Sequence, residues 1–154
     1  MRVFEVMTEG VRTVPPSLPA TDAWQLMRTA GIHHLVVTSG RRIVGILSDR
    51  DAGGRAGAPV RAGRSVADLM TRGVVTIQTD ETVGRAANVM HGRTIGCLPV
   101  LAGRKLVGIV TTADLLEAIG AGGDRRPKIE RHTLSHRVAH TKQHRGAGRA
   151  ARAW

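Results

Sequence analysis

Val44-Gly45-Ile46-Leu47-Ser48-Asp49-Arg50-Asp51 returns 63 residues later as Val107-Gly108-Ile109-Val110-Thr111-Thr112-Ala113-Asp114. The same offset aligns residues 6–57 with 69–120 without a gap, and about a third of the paired positions are identical. A solenoid has shorter repeats than these units of roughly 60 residues, and it has more than two of them. The repeat therefore indicates a pseudo-two-fold pair of small α/β units that share one core. The identical residues of the first copy include Met7, Thr8, Gly10, Val11, Thr13, Ala23, Met27, Ile32, Leu35, Val37, Gly40, Arg41, Val44, Gly45, Ile46 and Asp51.

Each copy shows the same order of predicted elements. A helical turn, around residues 6–8 or 69–71, precedes a brief β-branched segment that predicts a strand. Apolar residues at helical spacing then predict an amphipathic helix, and two apolar runs around a glycine turn predict a pair of buried strands. A second helix follows; it is clear at 112–119 but is soon stopped by Gly53 and Gly54 in the first copy. The order is β-α-β-β-α, twice, which is an α/β (α+β) fold. The main segments are 11–14, 20–30, 35–37 and 43–47 in the first copy, and 74–77, 82–93, 98–101 and 106–110 in the second.

Glycine content and charge divide the chain. Residues 53–63 contain four glycines and a proline, a composition typical of an exposed loop. We assign residues 3–57 to the first repeat, 58–65 to a glycine-rich linker loop and 66–121 to the second repeat. Residues 124–154 form a basic tail rich in His and Arg, with nine Lys or Arg against two acids. Most of the formal net charge of +11 therefore belongs to this tail.

The composition also restricts where the protein acts. Cys97 is the only cysteine of the 154 residues, which excludes an internal disulfide and a multi-cysteine zinc cluster. The N-terminus has no apolar run of signal-peptide length, and no apolar stretch approaches the roughly 20 residues that a membrane span needs. The sequence therefore predicts a soluble, cytoplasmic protein without membrane contact.

Three features together identify a family resemblance. Each copy ends in Gly-h-h-Ser/Thr-x-x-Asp, where h is apolar, and the second contains Leu98-Pro99-Val100. With the order of elements, this pattern resembles the CBS domain, named after cystathionine β-synthase, as a tandem pair over roughly residues 3–120. The resemblance implies a flat two-fold module with two clefts, each able to take an adenosyl ligand such as AMP, ADP, ATP or S-adenosylmethionine. It also implies a sensor, not a catalyst.

The chemistry of an adenosine ligand agrees with the residues that match the family motifs. Adenosine needs an apolar slot for the base, a carboxylate for the ribose hydroxyls, and hydroxyls, amides or cations for phosphate. The resemblance places the two repeated aspartates at the ribose and the hydroxyl residue three positions earlier beside ribose and phosphate. It places the two repeated threonines of the first strands at another polar contact, and residues 32–35 and 95–98 at the adenine edge. The candidate ligand-binding residues are Thr13, Ile32, His33, His34, Ser48, Arg50, Asp51, Thr76, Ile95, Gly96, Cys97, Leu98, Pro99, Thr111 and Asp114.

Each candidate also has a structural interpretation. Asp51 and Asp114 are at positions that favour a helix N-terminus, and the preceding Ser or Thr is a common cap. The aliphatic candidates are core residues whatever else they do, and His34 is compatible with a partly exposed packing role. Arg50 is placed to meet a phosphate. The copies differ at His33 and His34, which face Gly96 and Cys97 in the alignment, so the two clefts need not be equivalent.

The tail leaves four interpretations open. Its histidines recur every four residues and form one stripe if the segment is helical. A metal site lacks a nearby carboxylate or cysteine ligand, so no metal is assigned. The basic residues favour weak nucleic-acid binding through phosphate contacts, and a thin apolar stripe would suit docking on a partner subunit. A solvated, partly disordered segment is the remaining alternative. The histidines are His132, His136, His140 and His144.

We therefore expect a regulatory module that binds an adenine nucleotide, forms a homodimer and reports energy state to an unidentified protein. The alternative is a dimeric scaffold or nucleic-acid-associated protein that uses the basic tail. An enzyme is not expected, because no nucleophile with an adjacent base, metal motif or phosphate-binding P-loop occurs. No cofactor is required beyond the nucleotide as a regulatory ligand.

Overall fold

The computed structural model describes residues 1–121, in which the predicted α/β repeats are present. Short helices and strands alternate in the order that the sequence predicts, after a 3-10 turn at Val3–Glu5. The strands are β1 (Thr8–Glu9), β2 (Thr13–Val14), β3 (His34–Ser39), β4 (Arg42–Ser48), β5 (Ile77–Gln78), β6 (Cys97–Ala102) and β7 (Lys105–Thr111). The helices are α1 (Ala20–Ala30), α2 (Ala58–Arg61), α3 (Val66–Leu69), α4 (Val83–Arg93) and α5 (Thr112–Gly120).

The long helices α1 and α4 begin and end where the sequence predicts. Helix α1 buries Ala23 and Met27 on one face, and α4 buries their repeat counterparts Ala86 and Met90. The backbone N–H of Arg85 donates to Thr82 Oγ1 (3.1 Å), which caps α4. Helix α1 ends at Gly31 with a φ of +64°, a left-handed conformation that glycine adopts without strain.

The apolar runs form two hairpins, each with its own core. In the first repeat, β3 lies between β2, which is parallel to it, and β4, which is antiparallel. In the second, β6 lies in the same way between β5 and β7. The two cores contain Leu35 and Val37, or Leu98 and Val100, packed beneath α1 or α4. Each sheet therefore turns one face toward its own helices.

The segment that opens each sequence copy packs on the other copy. Strand β1 pairs antiparallel with β7 of the second repeat, and Val3 lies in the core of that repeat. Reciprocally, Thr71 bridges to Ile46 of the first repeat, and Val66 lies in the core of the first repeat. Each sequence copy therefore exchanges its opening segment with the other copy.

The prediction of an exposed linker loop at 58–65 is wrong in part. Residues 58–61 form α2, and Arg61 within it is only 5% exposed. Arg61 Nη1 donates to the carbonyls of Ala52 and Gly54, both at 2.7 Å, and the guanidinium stacks 4.4 Å from the ring centroid of Trp24. The glycine count indicated a loop, whereas these contacts fold the segment back onto the first repeat.

The second helix of the first copy also differs from that of the second. Helix α5 follows β7 directly, but residues 49–53 after β4 form turns, and α2 begins only at Ala58. Gly53 and Gly54 have positive φ angles of +84° and +62°, which end the helical turn that starts at Ser48. The predicted tail, residues 124–154, lies outside the described residues.

Candidate functional site

Some of the candidate residues lie on the sheet faces that point away from the two cores. Because side chains alternate along a strand, His34 and Val36 are on the opposite face of β3 from the core residues Leu35 and Val37. The pairing register adds Ser48 and Ile46 to that face. Equivalent positions of the second repeat supply the matching face. We call these two sets the inter-repeat face: His34, Val36, Ile46 and Ser48, with Cys97, Pro99, Ile109 and Thr111.

Burial shows that the inter-repeat face is covered. Val36 and Pro99 are fully buried although neither belongs to a core cluster. The carboxylate of Asp51, from the first repeat, also lies near Cys97 of the second, because it contributes to the raised pKa of that thiol. The two repeats therefore approach each other around Asp51 and Cys97.

At the end of β4, Ser48 and Asp51 hold each other in a reciprocal pair of hydrogen bonds. The backbone N–H of Ser48 donates to Asp51 Oδ2, and the backbone N–H of Asp51 donates to Ser48 Oγ, both at 3.0 Å. This is the geometry of a capping box, although only one turn follows it. Both side chains are half-buried and fixed in place without a full helix.

Thr111 and Asp114 form the same arrangement at the start of α5. The Thr111 backbone N–H and hydroxyl donate to Asp114 Oδ2 at 2.7 and 2.9 Å. The Asp114 N–H donates weakly to Thr111 Oγ1 at 3.3 Å. The structural interpretation of these residues as helix caps is therefore correct.

Capping uses only one oxygen of each of the two carboxylates, Asp51 and Asp114. Asp51 Oδ2 accepts one capping hydrogen bond and Asp114 Oδ2 accepts two, whereas Oδ1 of either residue accepts none within residues 1–121. A carboxylate held through one oxygen presents the other to a ligand. Asp51 and Asp114 can therefore act as caps and still accept hydrogen bonds from a ligand.

Charged and titratable side chains surround the first strand end. His33 Nδ1 lies 2.9 Å from Asp49 Oδ2, and both groups are accessible to solvent. His34 is half-buried, and burial lowers the pKa of His34 below its ordinary value of 6.5. Asp49 and Asp51 act in the opposite direction, whereas the exposed Arg50 lowers this pKa further. The basic side chains His33, His34 and Arg50 thus lie with the acids Asp49 and Asp51 at one end of the inter-repeat face.

The second strand end is less polar. Burial, with a smaller contribution from Asp51, raises the pKa of the Cys97 thiol to about 11. At neutral pH this cysteine is protonated and behaves as a small packing residue. Gly96 is exposed, and its carbonyl accepts from the backbone N–H of Thr112 at 2.9 Å. The positions that correspond to His33, His34 and Arg50 thus carry no cation.

Several candidate side chains do not reach this face. Leu98 is fully buried in the core of the second repeat, so its side chain cannot flank a ligand. Ile32 and Ile95 are half-buried and pack against their own cores. Thr13, by contrast, is exposed on β2 and pairs with Val36, so it lies on the same face of its sheet as Val36. Thr76 directly precedes β5, one position before the core residue Ile77.

One residue near the site was missed in the sequence analysis. Asp49 pairs with His33, and its charge raises the pKa of His34 more than that of Asp51 does. Its position between the candidates Ser48 and Asp51 could have indicated a role at the site. The repeat alignment did not support such a role, because the equivalent residue of the second copy, Thr112, is not acidic. Among residues 1–121, no three His, Cys, Asp or Glu side chains are arranged to hold a metal ion. In the same range, no helix has the length and apolar character to cross a bilayer.

Comparison with known proteins places the chain in a family. The family model described as CBS domain matches residues 3–52 and 66–121. The CBS domain-containing protein YhcV of Bacillus subtilis is 31% identical over 114 residues, which cover 73% of this chain and 81% of that protein. Inosine-5'-monophosphate dehydrogenase of Thermoplasma acidophilum is 31% identical over 112 residues, 72% of this chain. The match spans only 22% of the dehydrogenase, so its catalytic activity does not carry over.

A solved structure has the same fold and contains ligands. The CBS domain pair of protein MJ0100, in complex with 5'-methylthioadenosine and S-adenosyl-L-methionine, superposes with a TM-score of 0.71 at 27% identity. The match covers 79% of this chain and 98% of that one. A CBS pair of this architecture therefore binds adenosyl ligands.

Proposed function

Because the chain belongs to the CBS domain family and carries two copies of the domain, we propose that it is a regulatory module that binds an adenine nucleotide at the inter-repeat face. The ligand class is AMP, ADP, ATP or a related adenosyl compound. The nucleotide acts as a regulatory ligand that reports energy state to a protein partner. A reducing compartment such as the cytoplasm suits the unpaired, buried thiol of Cys97.

The observation that carries the proposal is the pair of oriented carboxylates. Asp51 and Asp114 each keep one oxygen unengaged while the other is fixed by Ser48 or Thr111. Two adjacent ribose hydroxyls are suitable donors to such an oxygen, because hydrogen bonds to a charged acceptor are stronger than neutral ones. The adenosyl ligands of the similar MJ0100 pair support the same class of ligand here.

The charges around the first strand end favour a phosphorylated ligand. His33, His34 and Arg50 lie near Asp51, whereas Gly96, Cys97 and Ala113 occupy the equivalent positions of the second repeat. Arginine and histidine are common partners of phosphate, and a protonated histidine would add charge. We therefore expect nucleotides with phosphate groups to bind at the first repeat more tightly than adenosine does.

Calorimetry with AMP, ADP, ATP and adenosine, on protein stripped of copurified ligand, tests the proposal. The double variant Asp51→Ala/Asp114→Ala is expected to bind roughly 1–3 kcal/mol more weakly, because charge-assisted hydrogen bonds are lost. The chain offers a matched control in Asp68, which accepts from the N–H (2.8 Å) and hydroxyl (3.1 Å) of Ser65 but lies outside the inter-repeat face. Asp68→Ala therefore removes a similar cap and should leave the affinity unchanged.

Two results would contradict this assignment. Equal affinities in wild type and the double variant would remove Asp51 and Asp114 from the binding site. A lack of heat and of thermal shift with every adenosyl compound would instead favour a scaffold without a ligand.

A dimeric scaffold is the second candidate, and exposed apolar side chains favour it. Leu116 and Ile119 are 64% and 70% exposed on α5, and Phe4 is 53% exposed. Residues three apart on a helix share one side, so Leu116 and Ile119 form a continuous apolar strip. We propose that this strip contributes to a homodimer contact.

Light scattering during size-exclusion chromatography distinguishes the oligomeric states. Wild-type protein should elute as a dimer, and Leu116→Glu/Ile119→Glu should shift it to a monomer because charge is introduced into the apolar strip. Val60→Glu, at an exposed apolar position of α2, is the control and should remain dimeric. A wild-type monomer at micromolar concentration would contradict the dimer.

A further inference from the structure

Arg61 is a cation buried without an acidic partner. It is only 5% exposed, and no carboxylate of residues 1–121 lies within ion-pair distance of its guanidinium. Burial of an unpaired charge is costly unless its hydrogen-bonding groups are engaged. Here only Nη1 is engaged, by the carbonyls of Ala52 and Gly54.

The rest of this guanidinium keeps some access to solvent. Nε and Nη2 make no hydrogen bond within residues 1–121, yet no side-chain nitrogen in that range is both unpaired and sealed from solvent. Arg61 lines a groove of about 560 Å³ between α1 and α2. We call it the Arg61 groove; its lining includes Thr21, Trp24, Gln25, Arg28, Thr29 and Arg61.

The charged side chains that line the Arg61 groove are all positive. Arg28 supplies a second guanidinium, 5.9 Å from the centroid of the same Trp24 ring that Arg61 contacts. Thr21 and Thr29 add hydroxyls, and no Asp or Glu lines the groove. A second groove of about 320 Å³ borders Arg61 as well, and Arg64 lines it.

We propose that the Arg61 groove is a binding site for a phosphoryl group, separate from the nucleotide site at the inter-repeat face. The guanidinium fork matches phosphate geometry, and a partly desolvated arginine gains more from an anion than a solvated one does. The groove is large enough for pyrophosphate or a small phosphorylated metabolite.

The surroundings disfavour other occupants. Guanidinium groups already lie against the Trp24 ring, so the indole is not a platform for a stacked base. The basic tail of this chain, with nine Lys or Arg after residue 123, would be repelled by Arg28 and Arg61. An anion with two or more accessible oxygens satisfies the donors that remain.

Trp24 reports on the site directly. Because Trp24 and Trp154 are the two tryptophans, a Trp154→Phe background assigns the fluorescence to Trp24. Full-length protein is titrated with pyrophosphate and with glycerol 3-phosphate, at ionic strength held constant with sodium chloride. We expect a saturable change in Trp24 fluorescence with each compound. The compound with the lower Kd shows whether the groove prefers an inorganic polyphosphate or an organic phosphomonoester.

Variants separate a specific site from general charge. The Arg28 side chain is exposed. Arg28→Glu is expected to raise the Kd by about tenfold or more, because it reverses the charge of one of the two arginines that would face the phosphate. Arg93→Glu, an exposed arginine at the end of α4, makes the same change of charge and should have no effect. Arg61→Lys keeps the charge but loses the fork, so it should weaken binding while circular dichroism confirms folding.

The outcomes are decisive in either direction. No saturable change, or equal weakening by Arg28→Glu and Arg93→Glu, would overturn the site. Asp51→Ala/Asp114→Ala should retain the Trp24 response even if it loses nucleotide binding. Loss of the response in that variant would mean that the anion binds at the inter-repeat face and would likewise overturn the proposal.

Discussion

Gly108 lies directly against the N-terminal segment, so its replacement by alanine tests the exchange of segments between the repeats. A Cβ at this position would be 2.8 Å from Met7 Sδ and 2.9 Å from the backbone carbonyl oxygen of Thr8. The methionine can move, but Thr8 belongs to β1 and is paired with Ile109. The added methyl group must therefore displace β1 from β7.

The cost follows from these contacts. Overpacking of a close-packed contact costs about 1–3 kcal/mol, and an immobile carbonyl excludes the lower end of that range. Gly92 is a matched control: it is exposed within α4, and a Cβ there would meet no atom within 4 Å. Gly92→Ala should stabilise the protein by about 0.5–1 kcal/mol through helix propensity. The two alanine variants should therefore differ by roughly 2–4 kcal/mol.

Thermal unfolding followed by circular dichroism measures this difference. At about 2–4 °C per kcal/mol for a chain of this length, Gly108→Ala should melt roughly 5–15 °C below Gly92→Ala. Near-equal melting temperatures would refute the argument, because they would mean that β1 does not cross over Gly108. The sequence copies would then be independent structural units.

Two further predictions concern protonation and the tail. Burial lowers the pKa of His34 in the folded protein below 6.5, while Asp49 and Asp51 oppose this and His33 and Arg50 reinforce it. The unfolded chain then binds the proton more tightly, so this contribution to the free energy of unfolding is present above about pH 6.5 and is lost as pH falls toward the lowered pKa. Urea unfolding at several pH values should show a shallower acid slope for His34→Gln and an unchanged one for the exposed-site control His91→Gln; identical slopes would contradict the burial effect. Cleavage after Gly123 should abolish a weak, salt-sensitive affinity for nucleic acid that rises from about pH 7.5 to 6. Fluorescence anisotropy with labelled nucleic-acid strands measures this affinity. Unchanged binding by the shortened protein would show that the tail is not the nucleic-acid-binding segment.

Local patterns in the sequence predict most of the individual elements. Helices α1 and α4 and the hairpins β3–β4 and β6–β7 lie within a residue or two of the predicted segments, because burial imposes periods of 3.6 and 2 on the sequence. The capping pairs of Asp51 and Asp114 were likewise visible as a spacing of three. Contacts within a few residues leave such signals.

The interactions that escaped prediction are nonlocal. Nothing in residues 3–9 distinguishes pairing with β7 of the second repeat from packing on their own repeat. The four glycines and the proline of residues 53–63 predict an exposed loop around Arg61. Its burial depends on Trp24, which is 37 positions earlier, and on two carbonyls of a turn.

The internal repeat separates what the fold requires from what is particular to one copy. Met7 and Met70, with Gly45 and Gly108, are identical in the two copies, and each methionine lies against the glycine of the opposite repeat. Both copies need this contact because both exchange their opening segments. Aligned positions at which the two copies carry different residues are not needed for this contact.

These differences concentrate in the first copy. His34 corresponds to Cys97 and Arg50 to Ala113, while Trp24, which holds Arg61, corresponds to Ala87. The fold therefore tolerates small neutral residues at these three positions, so its stability does not require His34, Arg50 or Trp24. We propose that anion recognition does, at the inter-repeat face through His34 and Arg50 and in the Arg61 groove through Arg61, which Trp24 contacts. The first repeat is consequently where ligand discrimination should be sought.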